Sequence, residues 1–460
     1  MLLQFTVGNY RSFRDRTTFS LVAEPQERGH ESTLLNSQKE AGINVVSLGV
    51  IYGANASGKS NLLRAINLLR RLVVDGVDPD SPIPVDRFLL SGTRLSDSEP
   101  TFLEIYFIKN NEMFCYGIEC DVRFIWHEWL RSGKEDIPIF ERRTNADGVV
   151  VVDNYDQLAE RSEIKPERIQ LVAEGTRPNK PFLTQANEQN VTFLRSIYSW
   201  MDASLSVRLT PTVNVNNAFE TRSYEGEMLE NLGDFLRKAD TGIERVEVQE
   251  DPLDVDQLDD HDRNRIEKWL QDDDSANLTT FIGGRRVTVK RDAATGNVYR
   301  SRLRAIHSDS NDKGTALDWA NESDGTRRMA ELWQMIFISP KRGLTLFIDE
   351  MERSLHPELV RFLVEQWRVT PPPNSQLIFT THNDNFLEDD LLRRDEVWFV
   401  SKNRGGASRM VSEVQFKLVE GVTRQRAYLD GMYGGVPNIS DRRFHFVDRN
   451  QSPPMEGIGR

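Results

Sequence analysis

The chain has 460 residues, of which 38% are hydrophobic and 28% charged, with a formal net charge of −13 at pH 7. That length supports two or three domains whose cores need no covalent staples. The acidity disfavours a broad, sequence-blind coat on nucleic acid, although a local basic groove can hide inside an acidic average. No window approaches the length of a bilayer span, and the opening Met1 to Val7 run passes at once into polar residues. Neither a signal peptide nor a transmembrane helix is expected, so the expected location is cytoplasmic.

In chain order, the first informative element is an apolar run, Val45 to Tyr52, leading into Gly53-Ala54-Asn55-Ala56-Ser57-Gly58-Lys59-Ser60. This fits the P-loop pattern G-x-x-x-x-G-K-[ST]. Glycines let the backbone curl until its N–H groups face phosphate oxygens, the lysine reaches the outer phosphates, and the serine hydroxyl can ligate Mg²⁺. Apolar residues at helical spacing from Ser60 to Leu69 predict a helix, whose N-terminus adds partial positive charge at the same place. Strand, loop and helix agree, so the motif predicts nucleotide binding. Cys115 and Cys120 follow in a strand-like segment; with no other cysteine to complete a metal set, they read as buried thiols in a reducing compartment.

Residues 151–300 differ in character from what precedes them and read as an inserted α+β lobe. Val191 to Trp200 and Met228 to Leu236 carry helical apolar spacing and predict short helices with packing faces. No sustained heptad repeat runs through the span, which argues against a long coiled coil. Glu250 to Asp262 and Asp272-Asp273-Asp274 are strongly acidic and read as solvated faces or loops. Arg286 to Arg291 alternates apolar with polar residues and predicts a half-buried hairpin strand.

The third part, residues 301–460, holds three further elements. Asn321-Glu322-Ser323-Asp324-Gly325-Thr326 opens a helical stretch from Met329 to Ile338; a serine and glycine there offer a hydroxyl and free N–H groups, as an ordinary helix cap also does. Leu344 to Ile348 reads as a buried strand ending in the carboxylates Asp349 and Glu350, a Walker B pattern about 290 residues after the P-loop. Asp349 would stand beside the Mg²⁺ held by Ser60, and Glu350 is the candidate for polarising the attacking water. Finally Gln376 to Thr381 reads as a strand that delivers His382. P-loop, serine–glycine helix start, Walker B and strand–histidine form the element order of ABC-type ATPases.

On these residues the chain resembles the ABC-type ATPases of the SMC, RecF and OLD-like group, the bacterial AAA family ATPases. The resemblance extends to Phe5 to Phe13, to Asp349 to Pro357, and to a tail including Leu392 to Val400 and Tyr428 to Pro437. It implies an α/β fold, an ABC-type head, in which two copies close around ATP and Mg²⁺. Gly53, Asn55, Gly58, Lys59, Ser60 and Asn61 of one head would hold nucleotide, and Ser323 and Gly325 of the other would complete the site. The resemblance makes Ser354 to Pro357 the segment that touches the partner head and His382 the sensor of the γ-phosphate. Arg11 is similar to an arginine that contacts nucleotide in SMC-like heads, or it is a surface arginine. The chain departs from the pattern in carrying Asp324 before a single signature glycine, and Pro100 to Tyr106 contains no glutamine to serve as a Q-loop.

The expected activity is ATP hydrolysis, by a homo-oligomer of two or more copies. Proteins resembling this one act as ATPase sensors in bacterial anti-phage systems such as PARIS or Septu, beside a separate nuclease or toxin. Fewer than eighty residues follow His382, too few for an appended TOPRIM nuclease, and Glu413 to Lys417 reads as a strand rather than a nuclease string. The alternative is a RecF- or SMC-like DNA-repair or DNA-maintenance head, with DNA as its partner.

Overall fold

The computed structural model describes residues 1–36, 42–90, 99–133, 135–209, 226–271, 277–282, 285–292, 294–308, 314–338, 343–388, 391–417 and 421–436. The acidic run Asp272-Asp273-Asp274 and the tail residue Pro437 lie outside these.

The near-continuous apolar runs of the sequence become one central sheet covered on both faces, which is the setting that a parallel strand without polar alternation requires. Its order is Leu205–Arg208, Thr345–Ile348, Gln376–Thr381, Leu48–Gly53, Val397–Lys402 and Ser408–Ser412, with only the last pairing antiparallel. The P-loop strand therefore sits inside the sheet, beside the strand that ends at Thr381. The Walker B strand is one place further along. Open parallel sheets bind ligands outside the carboxyl ends of their strands, and all three motifs leave the sheet at that end.

Alternate residues of these strands enter different cores. Ile51, Phe347 and Ile378 pack with the helix Lys59–Val74 and with a seven-stranded antiparallel sheet that runs from the edge strand Thr17–Ser20, through Leu2–Gly8, to Val150–Asp153. Val50, Leu346, Ile348 and Phe379 face the other way, against the helices Glu227–Lys238, Asp324–Trp333 and Pro357–Val369. The architecture is thus α/β. Among the described residues the longest helix, Lys59–Val74, has 16 residues, and none forms a long coiled coil. No helix among them is long and apolar enough to cross a membrane.

Residues 151–300 divide between several places. The helices Asp156–Ser162, Pro166–Glu174, Phe182–Glu188 and Thr192–Ser199 join the core of the antiparallel sheet, and Leu205–Arg208 becomes an edge strand of the central sheet. A third sheet follows, of Ile243–Pro252, Val298–His307, Arg285–Arg291 and Asn277–Ile282, with Thr315–Asp318 beside Val298–His307. The expected hairpin strand is there. The acidic stretch before it is only partly a solvated face: Asp251 pairs with Arg302, Glu250 with Lys290, and Asp254 and Asp259 cap helical turns.

One expectation is corrected. Glu413 to Lys417 is not a strand: Glu413–Gln415 is a short 3₁₀ turn after Ser408–Ser412. Glu413 is fully buried and held by Nε and Nη2 of Arg424, at 2.8 and 2.6 Å. The Phe416 N–H donates back to the Glu413 carbonyl oxygen at 3.0 Å, and that local bond closes a turn in place of a ladder.

Candidate nucleotide site

The P-loop closes because its two key glycines have no side chains. A Cβ on Gly53 would stand 2.4 Å from the Val400 carbonyl oxygen, and one on Gly58 would stand 2.2 Å from the Ser408 hydroxyl. Gly58 also has φ +120, a conformation that L residues rarely adopt. Beneath the loop, the Ser408 hydroxyl donates to Ser12 Oγ at 2.7 Å, and Asn61 Nδ2 donates to the same oxygen at 2.8 Å. Ser12 and Ser408 thus brace the loop from two distant parts of the chain, which no local pattern could reveal.

The loop opens into a cleft of about 550 Å³, solvent at its mouth included, lined by Asn55, Gly58, Lys59, Ser60, Asn61, Arg64, Glu350, His382 and Lys402 among others. Lys59 Nζ donates to the carbonyl oxygens of Gly53 at 2.6 Å and Ala54 at 3.3 Å, and lies 3.1 Å from His382 Nε2. Burial lowers the Lys59 ammonium to about 8, against the opposing pull of Glu352, Asp349 and Glu350. His382 is lowered as well, first by burial and then by Lys59. Burial works against the charged forms of both groups, and a phosphate beside them would favour those forms again, so an anion fits here.

The Walker B carboxylate lies beside the P-loop serine: Ser60 Oγ donates to Asp349 Oδ1 at 3.1 Å. Asp349 is buried, and Thr380 Oγ1 donates to the same oxygen at 2.8 Å. Mg²⁺ is usually held by one or two protein oxygens together with substrate phosphates and water, and the hydroxyl–carboxylate pair fits that demand. Among the described residues no group of three or more His, Cys, Asp and Glu is placed to hold a metal by protein alone. Glu350 follows with φ +48, an uncommon conformation for a residue with a side chain, and its N–H donates to Thr380 Oγ1 at 2.7 Å. The turn directs Glu350 into the cleft instead of onward along the strand.

Other expected residues stand apart. Ser323 caps the helix Asp324–Trp333, accepting from Thr326 N at 3.0 Å, and is exposed. A Cβ on Gly325 would meet the Ser354 carbonyl oxygen at 3.0 Å, so the signature packs against the backbone of the segment after Walker B. Neither Ser323 nor Gly325 lines the cleft. Arg11 pairs with Asp86, and its backbone N–H donates to the Asp86 carbonyl oxygen at 2.7 Å; it too lies outside the cleft lining.

The sequence reading missed Arg64, Lys402, Thr380 and Glu352. Arg64 lies on the first turns of the P-loop helix, on a face that could have been read from its spacing to Ser60. Lys402 has no local signal, because only sheet order brings its strand beside Leu48–Gly53. Thr380 and Glu352 lay inside the motif segments, but the bonds of Thr380 to Asp349 and Glu350, and of Glu352 to His382, exist only in three dimensions.

Among solved structures, the chain is similar to an SMC head bound to the C-terminal winged-helix domain of ScpA, at 14% identity and a TM-score of 0.38, covering 89% of this chain and 97% of that one. It is also similar to the SMC head domain from Thermotoga maritima, at 12% identity and 0.37, covering 91% and 99%. A third is an SMC head with an extended coiled coil, bound to the C-terminal domain of ScpA derived from Pyrococcus furiosus, at 12% and 0.38, covering 89% and 96%. No curated protein matches the chain. A protein family described as "AAA domain, putative AbiEii toxin, Type IV TA system" matches residues 48–388, which include the P-loop strand, the Walker B turn and His382. With most of its length inside that match, the chain belongs to this AAA-domain family.

Proposed function

We propose that the chain is an ATP-hydrolysing, ABC-type head that closes on a second copy around ATP and Mg²⁺ and regulates a separate effector, a nuclease or toxin, in bacterial anti-phage defence. One observation carries the ATPase reading: Lys59, the Ser60–Asp349 pair, Glu350 and His382 come from three separated parts of the chain and meet at a single cleft. Lys59 and the N-terminus of its helix bind phosphate, Ser60 and Asp349 offer oxygens to Mg²⁺, and Glu350 orients water. The metal's chemistry is to neutralise charge developing on the phosphate oxygens.

The dimer reading is supported by Ser323 and Gly325, which are built as a helix N-terminus yet do not line the cleft of their own chain. The defence setting rests on resemblance and accords with the toxin–antitoxin wording of the family description. A RecF- or SMC-like DNA-maintenance head is the second reading, and it rests on the same resemblance.

The test is ATP turnover and assembly size for the wild type and Glu350→Gln, with and without duplex DNA. The expected result is that Glu350→Gln loses roughly 10²- to 10³-fold in turnover while retaining ATP in a dimer or larger assembly. A wild type that neither turns over ATP nor assembles around it sinks the reading. Stimulation by DNA, weakening steeply with salt, would favour the DNA-maintenance alternative.

A further inference from the structure

The ends of the Walker B and His382 strands are tied together by more than their ladder. Thr380 takes two of the ties, to Asp349 Oδ1 and from Glu350 N, and its carbonyl oxygen accepts from Met351 N at 3.2 Å. Where the two segments diverge, a side chain supplies the next tie: Glu352 Oε1 accepts the backbone N–H of His382 at 2.6 Å. His382 in turn places Nε2 beside the Lys59 ammonium. The other Glu352 oxygen, Oε2, is buried without a hydrogen-bond partner. Leaving a carboxylate oxygen unsatisfied is costly, so packing alone does not account for a glutamate here.

We propose that Glu352 is a positioning residue of the nucleotide site: by holding the His382 N–H it fixes where the imidazole stands relative to Lys59 and the phosphate position. The inference rests on the ATPase reading above for its consequence in turnover, while the Glu352–His382 tie is a claim about this chain alone. A one-atom anchor of this kind sets geometry. Its loss therefore acts on the chemical step more than on binding, since most phosphate contacts come from the P-loop.

The experiment uses the full chain as wild type, Glu352→Gln and Glu352→Ala, with ring-¹³C-histidine labelling and with turnover kinetics on ATP and Mg²⁺. The His382 signal is assigned by its disappearance in His382→Gln. Glutamine retains an acceptor oxygen of the same reach, whereas alanine retains none. The expected result is a displaced His382 signal in Glu352→Ala only. It comes with a roughly ten- to hundredfold fall in kcat, KM within about threefold, and recovery of most of the loss in Glu352→Gln. An unmoved His382 signal in Glu352→Ala overturns the proposal, as does an equal fall in melting temperature for both variants, which would mark a carboxylate that acts only in folding. Should the wild type fail to turn over ATP, the ATPase reading falls, and the histidine spectra still decide the role of Glu352.

Discussion

Thr380→Val separates hydrogen bonding from packing at the turn that follows the Walker B strand. Thr380 is fully buried, and its hydroxyl makes two bonds at once, donating to Asp349 Oδ1 at 2.8 Å and accepting from Glu350 N at 2.7 Å. Valine keeps the volume and removes both. A hydrogen bond to a charged group contributes about 1.5–3 kcal/mol, and a buried N–H left unsatisfied costs about 1–3 kcal/mol. Glu350 is half-buried, so water recovers part of the second term, and the net cost is expected at about 2–4 kcal/mol. Thr380→Ser does the reverse: it keeps the hydroxyl and gives up one methyl, for about 1 kcal/mol. Guanidinium unfolding followed by tryptophan fluorescence, on wild type and both variants, gives the ranking. Mg²⁺-dependent nucleotide affinity supplies a second readout, since Asp349 loses the buried Thr380 donor and keeps only that of Ser60, and a fall of about 10- to 100-fold is expected in the valine variant. If serine proves the more damaging substitution, packing and not the hydroxyl holds this turn, and the reasoning fails.

Three further outcomes follow from the same geometry. Gly58→Ala should abolish nucleotide binding while leaving the fold intact, because the new Cβ would stand 2.2 Å from the Ser408 hydroxyl at a φ of +120; calorimetric titration with ATP and Mg²⁺ measures this. Gly117→Ala should destabilise the antiparallel sheet by about 1–3 kcal/mol, since its Cβ would fall 2.1 Å from the Trp129 indole directly opposite in the ladder; denaturant midpoints report the loss. Burial pushes both Cys115 and Cys120 from 9.0 up to about 12, with Glu104 adding to the shift at Cys115. Each thiol is therefore neutral in the folded chain where the unfolded chain has begun to ionise. Their contribution is fully present below pH 9 and is lost as pH rises towards 12, at about 1.4 kcal/mol per pH unit for each thiol. Thiol reagents should label neither cysteine in the native protein at pH 8 and both after denaturation.

How much could be read in advance differs from element to element. The P-loop, the Walker B strand and the strand before His382 were legible because each combines a short periodic pattern with residues whose chemistry has few other uses. The helix expected from Ser60 begins at Lys59 and runs to Val74, and the one expected from Met228 spans Glu227–Lys238; both were found by apolar spacing alone. Glu413 to Lys417 misled because alternation looks the same whether a carboxylate faces water or an inward arginine. The apolar helices between 156 and 199 carried no sign of which sheet they would cover, since spacing fixes a face and not its neighbour.

The sequence by itself determined the local chemistry: a glycine loop able to cradle phosphate, a hydroxyl and a carboxylate suited to Mg²⁺, two buried thiols, and apolar strands that need cover on both faces. Tertiary structure alone decided which of these groups meet. Sheet order set the P-loop strand beside the His382 strand, brought Lys402 to the cleft edge, and joined Ser12 and Ser408 beneath Gly58. It also left Ser323 and Gly325 outside their own cleft. The reason is physical: a motif specifies bonds within a few residues, whereas strand pairing and burial couple residues hundreds apart, and that coupling is a property of the whole packed chain.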